Sequence, residues 1–562
     1  MDNKDAVREI EVVEATLHNE LALVEAQGKV TFKDILVVLA VASGFAGTIL
    51  HLVGSGLLPH SITAVVGGND KLVWITAVIT FHSIVLTPSI CQAADFYGRK
   101  WLMVVTLIAG GVGCIIVSRA NNIGTVIVGQ AIGGLALIVQ ALSTAVNSEI
   151  LPRKYRGWAV ALTYGPSGGA AIVAILVAGA MSENNPEGFR HYFYLVAAFY
   201  IVSGAVIAIA YNPPLRETQR LTWKEKLYGL DLPGSGLLVV ALLGICLALS
   251  WSDNPYGWGD AHVLASFIVG CSAAVATALY AIFIRKDGFF HHGLFSRNFT
   301  LAECVLFVDG IVFICANNYL GYQLSVMYGT SSWTTSLIYS ISWFVFIVAA
   351  PLAGFFITRF RRPKAVANLG FAFFTLYFVL MATTNLHSQI DIWGYNVFLG
   401  IGLGLAIEGL MVIAQLSTPP DLISSATGLT IATRTLGAAV GLVVFNAIIN
   451  SALKSKLVPS ITRAALSHGL PIPNLGAFLE AVLSNDPASA AKVPGVTDEI
   501  LQVVKAAQQH VFNIGFRNVY IAAACFCVKG LVATIFLKDP MQEFTAAVDA
   551  PLNIREKEPS QA

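Results

Sequence analysis

The chain has 562 residues, of which 56% are hydrophobic and only 12% charged, and its 34 basic and 33 acidic residues leave a net charge of +1. This composition excludes an ordinary soluble multidomain protein and points to a membrane protein. The near balance of charge gives no footprint for nucleic acid or for an acidic partner.

In chain order, residues 1–34 are polar, with Asp2, Lys4, Asp5, Arg8, Glu9, Glu11 and Glu14 scattered through them. They lack the basic-then-apolar pattern of a signal peptide and read as a cytoplasmic tail. Crossing the hydrocarbon takes about 20 apolar residues. Such runs occur at 35–58, 72–93, 101–118, 123–146, 157–180, 191–211, 235–251, 262–284, 300–320, 335–357, 366–383, 394–416, 424–449 and 517–537. They predict an all-α membrane protein with fourteen transmembrane helices. Between the last two runs, residues 450–516 hold Pro471, Pro473, Pro487 and Pro494 with helix-compatible stretches at 474–483 and 497–509, and read as a small extracellular loop subdomain. Residues 538–562 read as a second cytoplasmic tail. All eight cysteines (91, 114, 246, 271, 304, 315, 525 and 527) lie in or beside apolar runs, which supports neither a disulfide framework nor a metal cluster.

Orientation follows from Lys and Arg in the short loops. With the N-terminus inside, the cytoplasmic loops carry Arg99, Lys100, Arg153, Lys154, Arg156, Arg216, Arg220, Lys224, Lys226, Arg285, Lys286, Arg297, Arg359, Arg361, Arg362 and Lys364. The outer loops carry only Lys71, Arg119 and Arg190. Both termini are therefore expected inside. The sequon Asn298-Phe299-Thr300 would then face the cytoplasm and escape glycosylation.

Three segments carry more than hydrophobicity. The turn between runs 2 and 3 reads Ser89-Ile90-Cys91-Gln92-Ala93-Ala94-Asp95-Phe96-Tyr97-Gly98-Arg99-Lys100. Asp95 beside Arg99 and Lys100 can form an ion network, and Gly98 supplies the backbone freedom of a tight turn; ordinary positive-inside charge is the plainer alternative. A partial copy follows run 10: Gly354, then Thr358 in the acidic position, then Arg359, Arg361, Arg362 and Lys364. Run 5 contains Tyr164-Gly165-Pro166-Ser167-Gly168-Gly169-Ala170. Small residues there permit close helix approach, and Pro166 removes a backbone donor and favours a bend.

The first of these segments resembles the cytoplasmic loop signature of the major facilitator superfamily, G-x-x-x-D-x-x-G-R-[KR], with Cys91 where the first glycine usually stands. Gly165, Pro166 and Gly169 resemble the G-P-x-x-G-G signature of its proton-coupled antiporters. The resemblance implies a major facilitator fold arranged as 6+2+6: an N-terminal bundle at 35–211, a linker with two additional helices at 212–298, five helices of a second bundle at 299–449, and its last helix at 517–537. Fourteen spans, Asp95 to Lys100, the Gly428-Leu429, Arg434, Gly437 and Gly441 run and the long penultimate loop together resemble the fungal trichothecene efflux pumps, a group close to fungal siderophore transporters. One departure stands out: many drug antiporters carry an arginine in span 4, and here Thr125 to Ala131 holds no basic residue.

Charges inside a membrane are costly and therefore functional candidates. Glu408 and Arg434 lie roughly 12 and 15 Å from the cytoplasmic ends of their spans at 1.5 Å per residue and are expected to pair. Asp309 then lacks an obvious partner and is the preferred protonatable carboxylate. Glu303, near the cytoplasmic edge, is expected to be solvated. His51 and His82 are further proton-coupling candidates. Gln130, Gln140, Tyr164, Asn317, Asn318 and Asn446 are candidates for a substrate pocket or, equally, for interhelical hydrogen bonds. No phosphate-binding loop, H-E-x-x-H pair or nucleophile elbow is present. The expectation is a secondary transporter and not an enzyme, needing no cofactor and no metal and working as a monomer. Its partners would be protons, a small-molecule substrate and the lipid bilayer. It would sit in the plasma membrane, with vacuolar or vesicular membranes as alternatives. Proton-coupled efflux of an apolar toxin or drug is the favoured activity, with siderophore uptake and a transporter-like receptor as rivals.

Overall fold

The computed structural model describes residues 30–549 apart from 69–70, 73, 183–184, 186, 215–216, 252–255, 286–291 and 484–489. Residues 1–29 and 550–562 of the two expected tails, and Arg216, Lys286 and Pro487, lie outside the described residues. In chain order the α-helices are α1 (Phe32–Leu57), α2 (Pro59–Val66), α3 (Trp74–Val85), α4 (Thr87–Tyr97), α5 (Arg99–Ser118), α6 (Ile123–Gly134), α7 (Val139–Ile150), α8 (Arg156–Ser182), α9 (Gly188–Ala210), α10 (Trp223–Gly229), α11 (Leu232–Trp251), α12 (Ala261–Leu279), α13 (Arg297–Tyr328), α14 (Ser332–Phe360), α15 (Pro363–Ala382), α16 (Gln389–Leu416), α17 (Ile423–Ser467), α18 (Leu475–Leu483) and α19 (Asp498–Ile535).

Every apolar run found in the sequence became helix. Among the described residues thirteen helical stretches are long and apolar enough to cross a bilayer, and the pair α3 and α4, bent by 49°, makes a fourteenth. The bend falls beside Pro88, which sits in the first turn of α4, where its missing N–H costs least. Helix starts follow ordinary capping chemistry. Thr31 and Asp34 form a reciprocal capping box on α1, and Ser296, Ser331 and Thr497 cap α13, α14 and α19.

Glycines set the closest crossings. A Cβ on Gly157 of α8 would meet the Gly354 carbonyl at 2.7 Å, and one on Gly354 of α14 would meet the Gly157 carbonyl at 2.8 Å. The two backbones thus touch where α8 begins and α14 ends. Gly437 of α17 lies just as close to the Phe307 carbonyl of α13, and Gly310 to the Arg434 carbonyl. The glycine run of span 13 is therefore the seam on which α13 and α17 cross. The hairpin of α11 and α12 closes where Gly244 meets Gly270. It leans on α3 and α17 through Ile84, Val85, Cys246, Leu242 and Leu436, while Leu264, Ile268, Val269 and Val275 of α12 face outward.

Two helices outrun the membrane. The 45 residues of α17 and 38 residues of α19 extend about 67 and 57 Å at 1.5 Å per residue, roughly twice a hydrocarbon thickness of about 30 Å. Their overhanging ends and α18 enclose a separate apolar cluster of Ile461, Ala465, Leu470, Phe478, Ile500 and Val504. The segment expected as a loop subdomain is thus built largely by extension of the flanking spans. Its two predicted helical stretches are present, as α18 and as the first turns of α19.

The described part of the second tail folds back as a strap. Backbone N–H groups of Arg153 and Lys154 donate to the carbonyls of Ala547 and Thr545 at 2.9 and 2.8 Å. Arg153 pairs with Glu543 at 2.7 Å and with Asp549 at 2.8 Å, and Arg156 pairs with Asp549 at 2.6 Å. The Arg156 and Asp549 side chains are only 1% and 6% exposed, so this contact is part of the fold.

Candidate functional site

The first group of predicted residues lies where α4 ends and α5 begins, the end expected to face the cytoplasm. Gly98 adopts φ +92° and turns the chain directly from one helix into the next. Arg99 donates to Asp95 at 2.8 Å and also forms an ion pair with Glu149 of α7. Asp95 in turn accepts from Ser425 of α17 at 3.3 Å, and Lys100 reaches the Asn212 amide oxygen. A second link between the same sides of the molecule runs from Ser148 of α7 to Gln415 of α16 at 2.7 Å. Cys91 packs against Gly428 of α17, where a Cβ would come within 2.8 Å of its own. The bulk at Cys91 is thus accommodated by a glycine on the facing helix.

The partial copy after α14 keeps the turn and drops the chemistry. Arg361 occupies the place of Gly98 and takes φ +56°, the one positive value at a non-glycine residue among those described. Thr358 sits against Gly157 in the α8–α14 crossing.

In the interior, the expected pairing of Glu408 with Arg434 is not found. Arg434 donates instead to Asp309 at 2.6 Å, with the Asp309 side chain 1% exposed, and its guanidinium lies over Phe313 at 4.8 Å. Sequence depth put Glu408 and Arg434 at similar heights but did not give their direction around the helix. The Gly310 and Gly437 seam turns α13 and α17 face to face and gives Asp309 the arginine. Glu408 is fully buried and neither of its oxygens has a hydrogen-bond partner among the described residues. Glu303, expected to be solvated, is likewise buried and accepts from Thr430. Tyr164, the residue preceding Gly165 and Pro166, is buried and its ring meets Phe45 of α1 edge-on at 5.2 Å.

The run around Pro166 stays helical within α8. A Cβ on Gly165 or Gly169 would meet nothing within 4 Å, whereas one on Gly168 would press on Phe346 and Ile347 of α14. Close packing is therefore the task of Gly168, which lies between the two motif glycines.

The histidines occupy the first half. His51 is fully buried, with Nε2 2.7 Å from Gln130 Oε1 and Nδ1 3.3 Å from the Tyr200 hydroxyl, and Gln130 donates on to Ser55 at 3.2 Å. His82 Nδ1 lies 2.8 Å from the Val78 carbonyl. Both rings sit on consecutive glycines of span 4, Gly133 and Gly134. Gln130 is thus committed to a core hydrogen-bond chain and is not brought to the other pocket candidates. Those divide: Asn446 accepts from Tyr319 and Asn317 from Tyr339, both at 2.6 Å. Asn317 and Asn318 are exposed on α13, and Gln140 is half-buried. Among the described residues no group of three or more His, Cys, Asp or Glu side chains is placed to hold a metal ion.

Three partners were missed by sequence reasoning. Glu149 lies just beyond the fourth apolar run, and nothing in the spacing tied it to Arg99. Ser425 and Gln415 are neutral residues in apolar runs and carried no signal.

With this geometry in hand, the chain was compared with known proteins. The Major Facilitator Superfamily profile matches residues 36–442. The MFS-type efflux pump LUC4 of a Fusarium species is 25% identical over 495 residues, covering 85% of this chain and 83% of that one. The trichothecene efflux pump TRI12 of Trichoderma arundinaceum is 22% identical over 492 residues, covering 84% and 81%. Among solved structures, the human organic anion transporter MFSD10 superposes with a TM-score of 0.54 at 12% identity, covering 91% of this chain and 99% of that chain, a likeness of fold.

Proposed function

We propose that this chain, which belongs to the Major Facilitator Superfamily, exports a small, largely apolar organic compound of the fungal toxin or drug class in exchange for protons. The relatives matched over more than four-fifths of the chain bear the names of efflux pumps, one of them for trichothecenes. In this reading the protein is an integral multi-pass transporter working as a monomer in the plasma membrane.

The observation that carries the proton half is Glu408. Among the described residues no donor reaches either oxygen of this buried carboxylate; burying an ionised carboxylate in that way is costly, so uptake of a proton there removes the charge. Asp309, held by Arg434, supports a fixed ion pair between α13 and α17. At the cytoplasmic end, the links from Asp95 to Ser425 and from Ser148 to Gln415 act as a latch that must open when the site faces inward.

The test is flux in liposomes reconstituted with the purified protein. A labelled trichothecene and a panel of fungal metabolites are expected to move against an imposed proton gradient, and a protonophore is expected to abolish that movement. Flux indifferent to the gradient would overturn proton coupling. Accumulation of a ferric siderophore with no movement of any toxin would overturn the substrate class.

A further inference from the structure

Between the cytoplasmic ends of α13 and α19 runs an open groove of about 770 Å³ on the membrane-facing surface, lined by Arg297, Leu301, Val528, Lys529, Val532 and Phe536 among others. Its apolar wall stays uncovered: Val528, Val532 and Phe536 are 45%, 49% and 61% exposed. Its two cations have different origins but one destination. Arg297 is the first residue of α13, whose first turn contains no acidic residue, so the guanidinium adds to the positive end of a helix dipole in place of opposing it. Lys529 lies six residues before the end of α19, about 9 Å into the membrane at 1.5 Å per residue. Its ammonium sits 5.5 Å from the Phe526 ring centre and must reach toward the cytoplasmic surface to find water. Among the described residues neither Arg297 nor Lys529 is in an ion pair.

Two uncompensated cations at headgroup depth, at the mouth of an apolar trough, match the chemistry of one ligand: a phosphate monoester or diester joined to an acyl chain. The cytoplasmic leaflet is where anionic lipids concentrate, and the loop charges orient this end of the protein there. We infer that the groove between α13 and α19 is a binding site for an anionic phospholipid, with the phosphate held by Arg297 and Lys529 and an acyl chain laid along Val528, Val532 and Phe536. A zwitterionic lipid places its own ammonium beside these cations and is the poorer ligand. The bound lipid bridges the first and last helices of the second half without touching the interior charges.

Native mass spectrometry of the detergent-purified protein, titrated with phosphatidylserine or phosphatidylcholine, tests this. Wild type is expected to retain phosphatidylserine preferentially. Each of Arg297→Gln and Lys529→Leu is expected to weaken it about fivefold, and the double variant about 25-fold, from about 1 kcal/mol per surface cation. Lys224→Gln, on the separate helix α10, should leave it unchanged. Val532→Trp keeps both cations but fills the trough and should also lose the lipid, which separates a built site from general surface charge. Equal retention by the double variant and wild type, or an equal loss in Lys224→Gln, overturns the proposal. Displacement by millimolar inorganic phosphate as readily as by lipid would overturn the lipid assignment in favour of a soluble anion. All variants are on outward faces, and a monodisperse elution profile checks that each is folded.

Discussion

The two halves of the molecule keep their buried charges in different places. In the first half Asp95, Arg99 and Glu149 lie at the cytoplasmic edge, while its interior polar group is a chain of hydrogen bonds through Tyr200, His51, Gln130 and Ser55. In the second half the edge loop has Thr358 where the first has an acid, and the carboxylates Glu303, Asp309 and Glu408 stand in the interior with Arg434. In the proposed mechanism the repeat divides the labour, the first half answering to the opening of the latch and the second to proton uptake in the interior.

Three substitutions probe that division. The largest effect is expected from Asp309→Asn, which leaves Arg434 inside without its carboxylate. Losing one partner of a buried pair costs roughly 3 kcal/mol or more, and thermal unfolding in detergent should show it as a marked fall in midpoint that Asp309→Asn with Arg434→Gln partly restores. An unchanged midpoint would mean that the interior pair carries no structural weight. Next comes Glu408→Gln, which preserves shape and removes the ionisable group. Stability should stay within about 1 kcal/mol of wild type, while proton-driven flux falls and what remains loses its pH dependence. A pH profile parallel to wild type would move the coupling group elsewhere. The smallest effect is expected at the edge. Asp95→Asn removes one of the two carboxylates on Arg99 and leaves the Glu149 pair in place, so reconstituted flux should drop about fivefold, about 1 kcal/mol, with the protein still correctly inserted. Flux equal to wild type would remove the latch.

How much of this was readable in advance depends on whether the property is one-dimensional. The fourteen spans follow from local hydropathy, and each has its helix. Gly98 was readable because a tight turn between two helices favours the residue with the freest backbone; that Arg361 adopts a positive φ in the copy was not, because nothing marks an arginine for the left-handed region. Depth along a helix was readable for Asp309, Glu408 and Arg434, since rise per residue is constant. Their partners were not, because azimuth depends on how Gly310 and Gly437 lock two helices together. The same limit explains Cys91, whose tolerance is written at Gly428, and Glu303, whose burial is decided by Thr430 on another helix.

The strap on Arg153 and Arg156 bears on how the protein is made. Asp549, which neutralises Arg156, is 393 residues further along the chain. At about 5–20 residues per second, a ribosome reaches it on the order of 20–80 s after the arginines have been synthesised. Throughout that interval the first bundle holds an unfinished cytoplasmic face, with two cations that have yet to meet their acid. Completion of that face therefore waits on a segment translated 393 residues after it.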